Sequence, residues 1–323
     1  MFLIIGYGGE KTTRHVCAAA RAQGVDFDFL DLQRAAESDA VIVEWDGSSL
    51  ALTLDERTFE LSGYSGFYSR LYFQPTGSPA RDAALSEIVS WVSAYLDWSD
   101  ALVINRPSSG WSNFIKLHHA RELAGVGFRV PRSLITGSPR EARALLSSGR
   151  WVSKPCSGTR SETVLVDDAL RERMELLRRT PSQFQEYIEG PDVRVHWLQG
   201  ECFAVKIRTS SGIDYRYGEG DNWFSPIEVP EPVAERCADF CQRAKLAFSG
   251  LDFKLDHSGE WVALEANPMP GFDYYDRWLD GAISKRLVTI LAQGATRAMP
   301  FIDRSRRPAP LNPLLASDKA SAG

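Results

Sequence analysis

The chain has 323 residues, enough for about two domains or one large elaborated one. Apolar residues make up 44% and charged residues 24%, with 37 Lys+Arg against 42 Asp+Glu and a net charge of −5. Such a balance excludes a disordered or collagen-like chain and gives no bulk footprint for nucleic acid or anionic membrane, while leaving room for a local basic cleft. No apolar run approaches the roughly 18 residues that a membrane-spanning helix needs. Cys17, Cys156, Cys202, Cys237 and Cys241 are odd in number and form no C-x-x-C pair, so they read as reduced thiols of a cytoplasmic protein.

Residues 1–32 read β-α-β. Met1-Phe2-Leu3-Ile4-Ile5 reaches a glycine at once and lacks a basic flank, so it reads as a buried first strand rather than a signal peptide. The Gly6-x-Gly8-Gly9 turn lies where parallel sheets bind ligands, but it lacks the full dinucleotide spacing and reads as a tight turn. Strand-like pieces follow at Ala40–Glu44, Ser49–Leu54 and Gly66–Leu71. Arg81–Trp98 is a helix with Leu85, Ile88, Val89, Val92 and Leu96 on one face. Ala101–Asn105 is a strand, Pro107–Ser112 breaks regular structure, and Asn113–Ala124 is a helix.

From Trp151 the pattern turns to hairpins. Trp151–Lys154 and Thr163–Val166 flank a small loop, and Asp167-Asp168 is suited to cap the helix that follows. Gln183–Ile188 is a strand. Asp192–Leu198 and Glu201–Arg208 form a hairpin across Gln199-Gly200. Thr209–Pro226 reads as a long loop, and Val233–Ala247 as a helix with Cys237 and Cys241 on its packing stripe. Leu251–Leu255 and Trp261–Asn267 form another hairpin, turning at His257-Ser258-Gly259. Leu279–Leu291 is the last helix, and 301–323 reads as a loose tail.

The sharpest chemical pattern is Asp252 on one strand of this hairpin with Glu265-x-Asn267 on the other. Period-two alternation puts Glu265 and Asn267 on one face and turns Leu264 and Ala266 to the core. Two carboxylates and an amide oxygen suit Mg²⁺ better than they suit plain polar alternation. Lys154 ends a strand before Pro155–Ser161, a small loop whose backbone could close over phosphates. Gln185-Glu186-Tyr187-Ile188 leads into Glu189-Gly190-Pro191-Asp192, a link that could offer backbone groups to an adenine edge and a carboxylate to ribose. In Asp192-x-Arg194-x-His196, with Lys206 and Arg208 on the next strand, alternation puts charges on one face and Val193, Val195, Val205 and Ile207 on the other. The turn decides this. A two-residue turn separates Arg194 from Lys206, whereas a three-residue bulged turn reunites them. His118-His119 reads as structural or solvent-facing rather than catalytic.

In chain order these residues resemble an ATP-grasp enzyme: Lys116, the Gly127–Pro131 segment, Lys154, Gln185–Ile188, Asp192-x-Arg194, Lys206, and Asp252 with Glu265-x-Asn267-Pro268. The resemblance spans about 105–293 and is to RimK-type ligases and the graspetide (microviridin-type) peptide ligases, whose D-W-R element is matched by Asp214-Tyr215-Arg216. It implies an α/β ATP-grasp fold, with a parallel N-terminal unit (1–110) and two lobes (111–190 and 191–300) that clamp ATP. Lys116 and Lys154 would meet the ATP phosphates, Glu186 and Ile188 would flank adenine, and Asp192 would hold ribose. Asp252, Glu265 and Asn267 would bind Mg²⁺, and Arg216 would meet the γ-phosphate or an acyl-phosphate, with Lys206 and Arg194 as further catalytic cations. Two departures stand out: the glycine-rich loop is reduced to Gly158, and Met269-Pro-Gly-Phe-Asp-Tyr-Tyr-Asp276 replaces the graspetide N-P-x-G-x-W pattern.

The expected activity is a carboxylate–amine or carboxylate–hydroxyl ligase acting on a peptide or amino-acid-like substrate, as a cytoplasmic protein and a candidate homodimer, with neither nucleic acid nor membrane as partner. The alternative is a nucleotide-binding regulatory protein that keeps the fold without ligation. Tyr215, Tyr217, Trp223, Phe224, Phe272, Tyr274 and Tyr275 either frame the substrate or pack a long loop.

Overall fold

The computed structural model describes residues 1–47, 49–114, 116–155, 163–210 and 221–294. The chain separates into two compact units. The first holds Met1–Trp111, Ala244–Phe248 and the segment from Gly271; the second holds Ser112–Arg243 and Ser249–Pro270.

The first unit opens with β1 (Phe2–Gly6), α1 (Lys11–Ala22), β2 (Phe27–Asp31) and α2 (Leu32–Glu37), the last capped by Asp31, which accepts from the Gln33 amide. β1 is buried along its whole length, as an unbroken apolar run in a parallel sheet should be. β3 (Val41–Trp45), β4 (Leu50–Leu54) and β5 (Arg57–Glu60) form a separate antiparallel sheet, of which β5 is too short and polar to stand out in the sequence. β6 (Gly66–Ser69), α3 (Pro79–Trp98) and β7 (Leu102–Ile104) complete the parallel sheet in the order β2-β1-β6-β7. α3 begins ahead of the expected Arg81 because Pro79 fits the first turn, where a missing N–H leaves nothing unpaired. Its Leu85, Ile88, Val92 and Leu96 are buried against Leu3, Ile5, Leu30 and Phe67, whereas Val89 is only partly buried. Pro107–Phe114 is a 3₁₀ helix rather than a break.

The second unit begins with α4 (Lys116–Gly125), β8 (Ser133–Thr136), α5 (Pro139–Leu146), β9 (Trp151–Pro155), β10 (Val164–Leu165), α6 (Asp168–Glu172) and β11 (Ser182–Glu186). The strands form an antiparallel sheet in the order β10-β9-β11-β8, over a core of Ala142, Leu146, Trp151, Met174 and Phe184. Asp167 caps α6 as expected, accepting from the Leu170 amide at 2.8 Å.

β12 (Asp192–Leu198), β13 (Glu201–Thr209), β14 (Asn222–Pro226), α7 (Glu231–Arg243), β15 (Phe248–Leu255) and β16 (Trp261–Asn267) follow. They give a five-stranded sheet in the order β14-β13-β12-β15-β16. β14 corrects the expected loop 209–226, since Trp223 and Phe224 pair with Arg208 and Ile207. Cys237 and Cys241 are buried on α7, and the four described cysteines are free thiols. The chain then returns to the first unit through α8 (Asp273–Asp276) and α9 (Ala282–Gln293), where Asp276 binds the His15 ring at 2.7 Å and Thr12 donates to Asp273 at 2.6 Å.

Candidate active site

The β12–β13 turn sets the geometry. Gln199 and Gly200 both take positive φ, +44° and +96°, the signature of a two-residue primed turn. Leu198 therefore faces Glu201, Arg194 faces Val205, and Lys206 faces Val193. Of the two turns considered, the two-residue one is thus realised: Lys206 and Arg208 share a side with Val193 and Val195, and Arg194 shares the other with Val205 and Ile207. Lys206 is half-buried and makes no ion pair among the described residues.

Arg194 is 7% exposed and is drawn onto β15 instead. Its Nη1 lies 2.7 Å from Asp252 Oδ1, and its Nε donates to His196 Nε2 at 3.4 Å. The guanidinium passes over Gly250, where any Cβ would overlap it. Across β15–β16, Asp252 stands directly opposite Glu265 and Gly250 opposite Asn267, so the three oxygen donors share one face. Asn267 Oδ1 accepts from the Met269 amide at 2.9 Å, which fixes the amide's orientation. The register shifts between Asp252 and Phe253, leaving Leu264 as the extra residue of a bulge. Leu264 is consequently half-buried rather than in the core, while Ala266 is fully buried.

The three donors fit a divalent cation of the Mg²⁺ kind. All are hard oxygens, and two carboxylates against the Arg194 guanidinium leave the cluster one negative charge in excess. Among the described residues no group of three His, Cys, Asp or Glu side chains is placed to hold a metal, so a third protein donor here would have to be the Asn267 amide oxygen. On α4, His119 is 3% exposed and packs its ring against Phe240, with centroids 6.1 Å apart. Burial drives its pKa down to about 4, against the pull of the Glu265 charge. It is a neutral core histidine, as expected.

The link between the two sheets carries the remaining residues. Lys154 Nζ donates to Gln185 Oε1 at 2.9 Å, joining two residues expected at a nucleotide. Glu186 accepts from the Arg132 amide at 3.2 Å, Tyr187 lies under the Arg150 guanidinium at 4.4 Å, and Ile188 is buried. Asp192 Oδ2 is held at 2.8 Å by Lys254 Nζ, which also donates to the Gly190 carbonyl at 3.1 Å. Sequence reasoning overlooked Lys254, although its spacing from Asp252 already put the two on one face. Lys116 opens α4, half-buried.

Arg216, with Asp214, Tyr215 and Tyr217, lies outside the described residues, as do Gly158, Cys156 and the tail. Phe272 is fully buried against Phe248 and His15, so packing is the one of its two open readings that is realised; Trp223 is 56% exposed. At Gly8 a Cβ would meet the Asp31 carboxylate, which already accepts from the Gly8 amide at 3.1 Å. The space beside this turn is thus taken by a side chain from β2.

No family model matches the sequence, and no curated protein does. Solved structures do. PsnB, an ATP-grasp ligase complexed with a minimal-precursor variant, Mg and ADP, is 24% identical, with 90% of this chain and 97% of that one covered at a TM-score of 0.77. The fold is ATP-grasp. The macrocyclase MdnC of Microcystis aeruginosa, bound with its precursor peptide, is 18% identical over 90% of this chain and 99% of its own, at a TM-score of 0.75. D-alanine–D-alanine ligase of Bacillus anthracis, complexed with ATP, is 16% identical over 90% and 95%, at a TM-score of 0.57. The likeness is one of fold, and the two antiparallel sheets joined by the 186–192 link lie within it.

Proposed function

We propose that this protein is an ATP- and Mg²⁺-dependent ligase that joins a carboxylate to an amine or hydroxyl of a peptide. The observation that carries the reading is the face shared by Asp252, Glu265, Asn267 and Arg194. That PsnB and MdnC, with the same fold, are complexed with precursor peptides supports a peptide over a free amino acid.

A carboxylate is a poor electrophile, and phosphorylation makes it a good one. A substrate carboxylate oxygen attacks the γ-phosphorus, the bond to the β-phosphate oxygen breaks, and ADP leaves. The acceptor nitrogen or oxygen then attacks the acyl carbon and loses its proton, and inorganic phosphate departs. Both steps need positioning and charge neutralisation more than covalent protein chemistry. Mg²⁺ bound by Asp252, Glu265 and Asn267 would neutralise phosphate oxygens. Arg194 would hold Asp252 in place and face the transferring group, with Arg216 as a further cation, whereas Lys206 stands on the opposite side of the sheet. Lys116 and Lys154 would meet the phosphates, Gln185 would orient Lys154, Glu186, Tyr187 and Ile188 would border adenine, and Asp192 would take the ribose. In this reading 111–190 and 191–300 are the two clamping lobes, 1–110 precedes them, and two copies associate as a homodimer.

The test is ADP release from Mg²⁺-ATP in the presence of a candidate precursor peptide rich in Thr, Ser, Lys, Asp and Glu, with mass spectrometry of the peptide. Loss of one water mass for each bond formed is expected. Glu265→Ala should reduce turnover by about two orders of magnitude or more, the scale seen when a group that stabilises transition-state charge is removed. Unchanged turnover in that variant would show the metal assignment to be wrong, and tight ATP binding without any peptide-dependent ADP would point to a regulatory protein instead.

A further inference from the structure

Two ion pairs cross the β12–β15 ladder with opposite polarity. Asp192 on β12 meets Lys254 on β15 at 2.8 Å, and Arg194 on β12 meets Asp252 on β15 at 2.7 Å. The second pair belongs to the metal face. The first lies one step along the same strands, at the end of the link where Gly190 and Asp192 sit.

Lys254 is 9% exposed, and an ammonium taken out of water is costly unless its donors are met. Of its three donors, one goes to Asp192 Oδ2 and one to the Gly190 carbonyl. Among the described residues the third has no protein acceptor. The same strand position could hold an apolar side chain without such cost, so burying a charge there makes sense if the charge serves a ligand. The two acceptors it does engage are the carboxylate assigned to ribose and the turn that sets where that carboxylate stands. Gly190 has φ +140°, and a Cβ there would fall on the Leu255 carbonyl oxygen, so this turn is pressed directly onto β15.

We infer that Lys254 is a positioning residue of the nucleotide's ribose subsite: it ties Asp192 and Gly190 together and directs its remaining donor at the sugar. The inference rests on the nucleotide reading above. It makes the selection of a ribonucleotide over a deoxynucleotide depend on a β15 side chain as much as on Asp192 itself.

Calorimetric titration with Mg²⁺-ADP and with Mg²⁺-2′,3′-dideoxy-ADP tests it on the full chain. Wild type should bind ADP the more tightly. Lys254→Met should weaken ADP about tenfold, as loss of a charge-assisted hydrogen bond does, while the dideoxy nucleotide changes little, so that the preference collapses. Lys254→Arg should restore most of it, which a merely structural role would not require. Should Lys254→Met fail to fold, Lys254→Gln keeps a donor for Gly190 without the charge and should show the same collapse. A full preference retained in the neutral variants, with Asp192→Asn abolishing it, overturns the inference alone. A wild type that binds both nucleotides equally, or neither, overturns the ribose reading beneath it as well.

Discussion

At the scale of single residues, Gly190 is the position with least latitude. Its positive φ is unfavourable for any L side chain, and the space a Cβ needs is occupied by the Leu255 carbonyl. Gly190→Ala should therefore destabilise the protein by more than about 1 kcal/mol, through strain rather than lost contacts. Urea melts should show it, with nucleotide affinity falling in parallel because Asp192 stands two residues on. Arg194 illustrates a different constraint. Its pairing with Asp252 was not legible in the sequence, because alternation fixes only which side of one strand a residue takes. Which neighbouring strand supplies the partner is a matter of sheet order, and β15 reaches β12 only after an intervening helix and two strands.

At the scale of elements, turn chemistry and hydrophobic period carried most of the reading. The β12–β13 and β15–β16 hairpins, α3 and the β1–α1–β2 start all follow from apolar spacing and glycine-bearing turns. Short polar strands did not show, β5 and β14 among them, because their pairing is decided by partners rather than by their own residues. α5 was overlooked for another reason. Its Ser138-Pro139-Arg140-Glu141 start is a capping box, and Ser138 does accept from the Glu141 amide, but the helix is only eight residues long and its periodic signal is brief. The β15–β16 turn yields a pH prediction. Asp256 accepts from Ser258 Oγ at 2.6 Å, the Ser258 amide at 2.9 Å, the Glu260 amide at 3.0 Å and Arg129 Nη1 at 2.7 Å. The Ser258 hydroxyl foremost, with the amides and Arg129, lowers its pKa to about 2. A depressed carboxylate stabilises the fold fully above its unfolded pKa of about 3.9 and loses that contribution as pH falls toward 2. Asp256→Asn should melt earlier than wild type at neutral pH and by a shrinking margin through this acid window. An undiminished margin at pH 2 would contradict it.

At the scale of the molecule, the net charge of −5 is spread over both units, and what matters is where particular cations stand. Lys154, Arg194, Lys206 and Lys254 all lie in the second unit, where Arg194 and Lys254 pair with the carboxylates assigned to metal and ribose. Ligand binding stabilises what it touches and leaves the rest near its resting stability. Saturating Mg²⁺-ADP should accordingly slow amide hydrogen exchange in 112–243 and 249–270, with a smaller change across 1–111. Equal protection everywhere, or protection confined to 1–111, would move the nucleotide out of the second unit. The inclusion of Ala244–Phe248 in the first unit was not apparent from the sequence, because it rests on Asn105, whose side chain accepts from the Ala247 and Phe248 amides at 2.7 and 2.9 Å. A five-residue graft of this kind leaves no periodic trace.

The Gln199-Gly200 turn has a bearing on how kindred chains are compared. With two residues at the tip, even-numbered side chains of β12 meet odd-numbered ones of β13. The same residues turning through three at the tip, with Leu198 opposite Cys202, would exchange the two sides of β13 wholesale, bringing Lys206 beside Arg194 without any change of residue type. An alignment matches residue types and is blind to this register. For this hairpin, the identity of a cation says little about its duty until the residues at the tip have been counted.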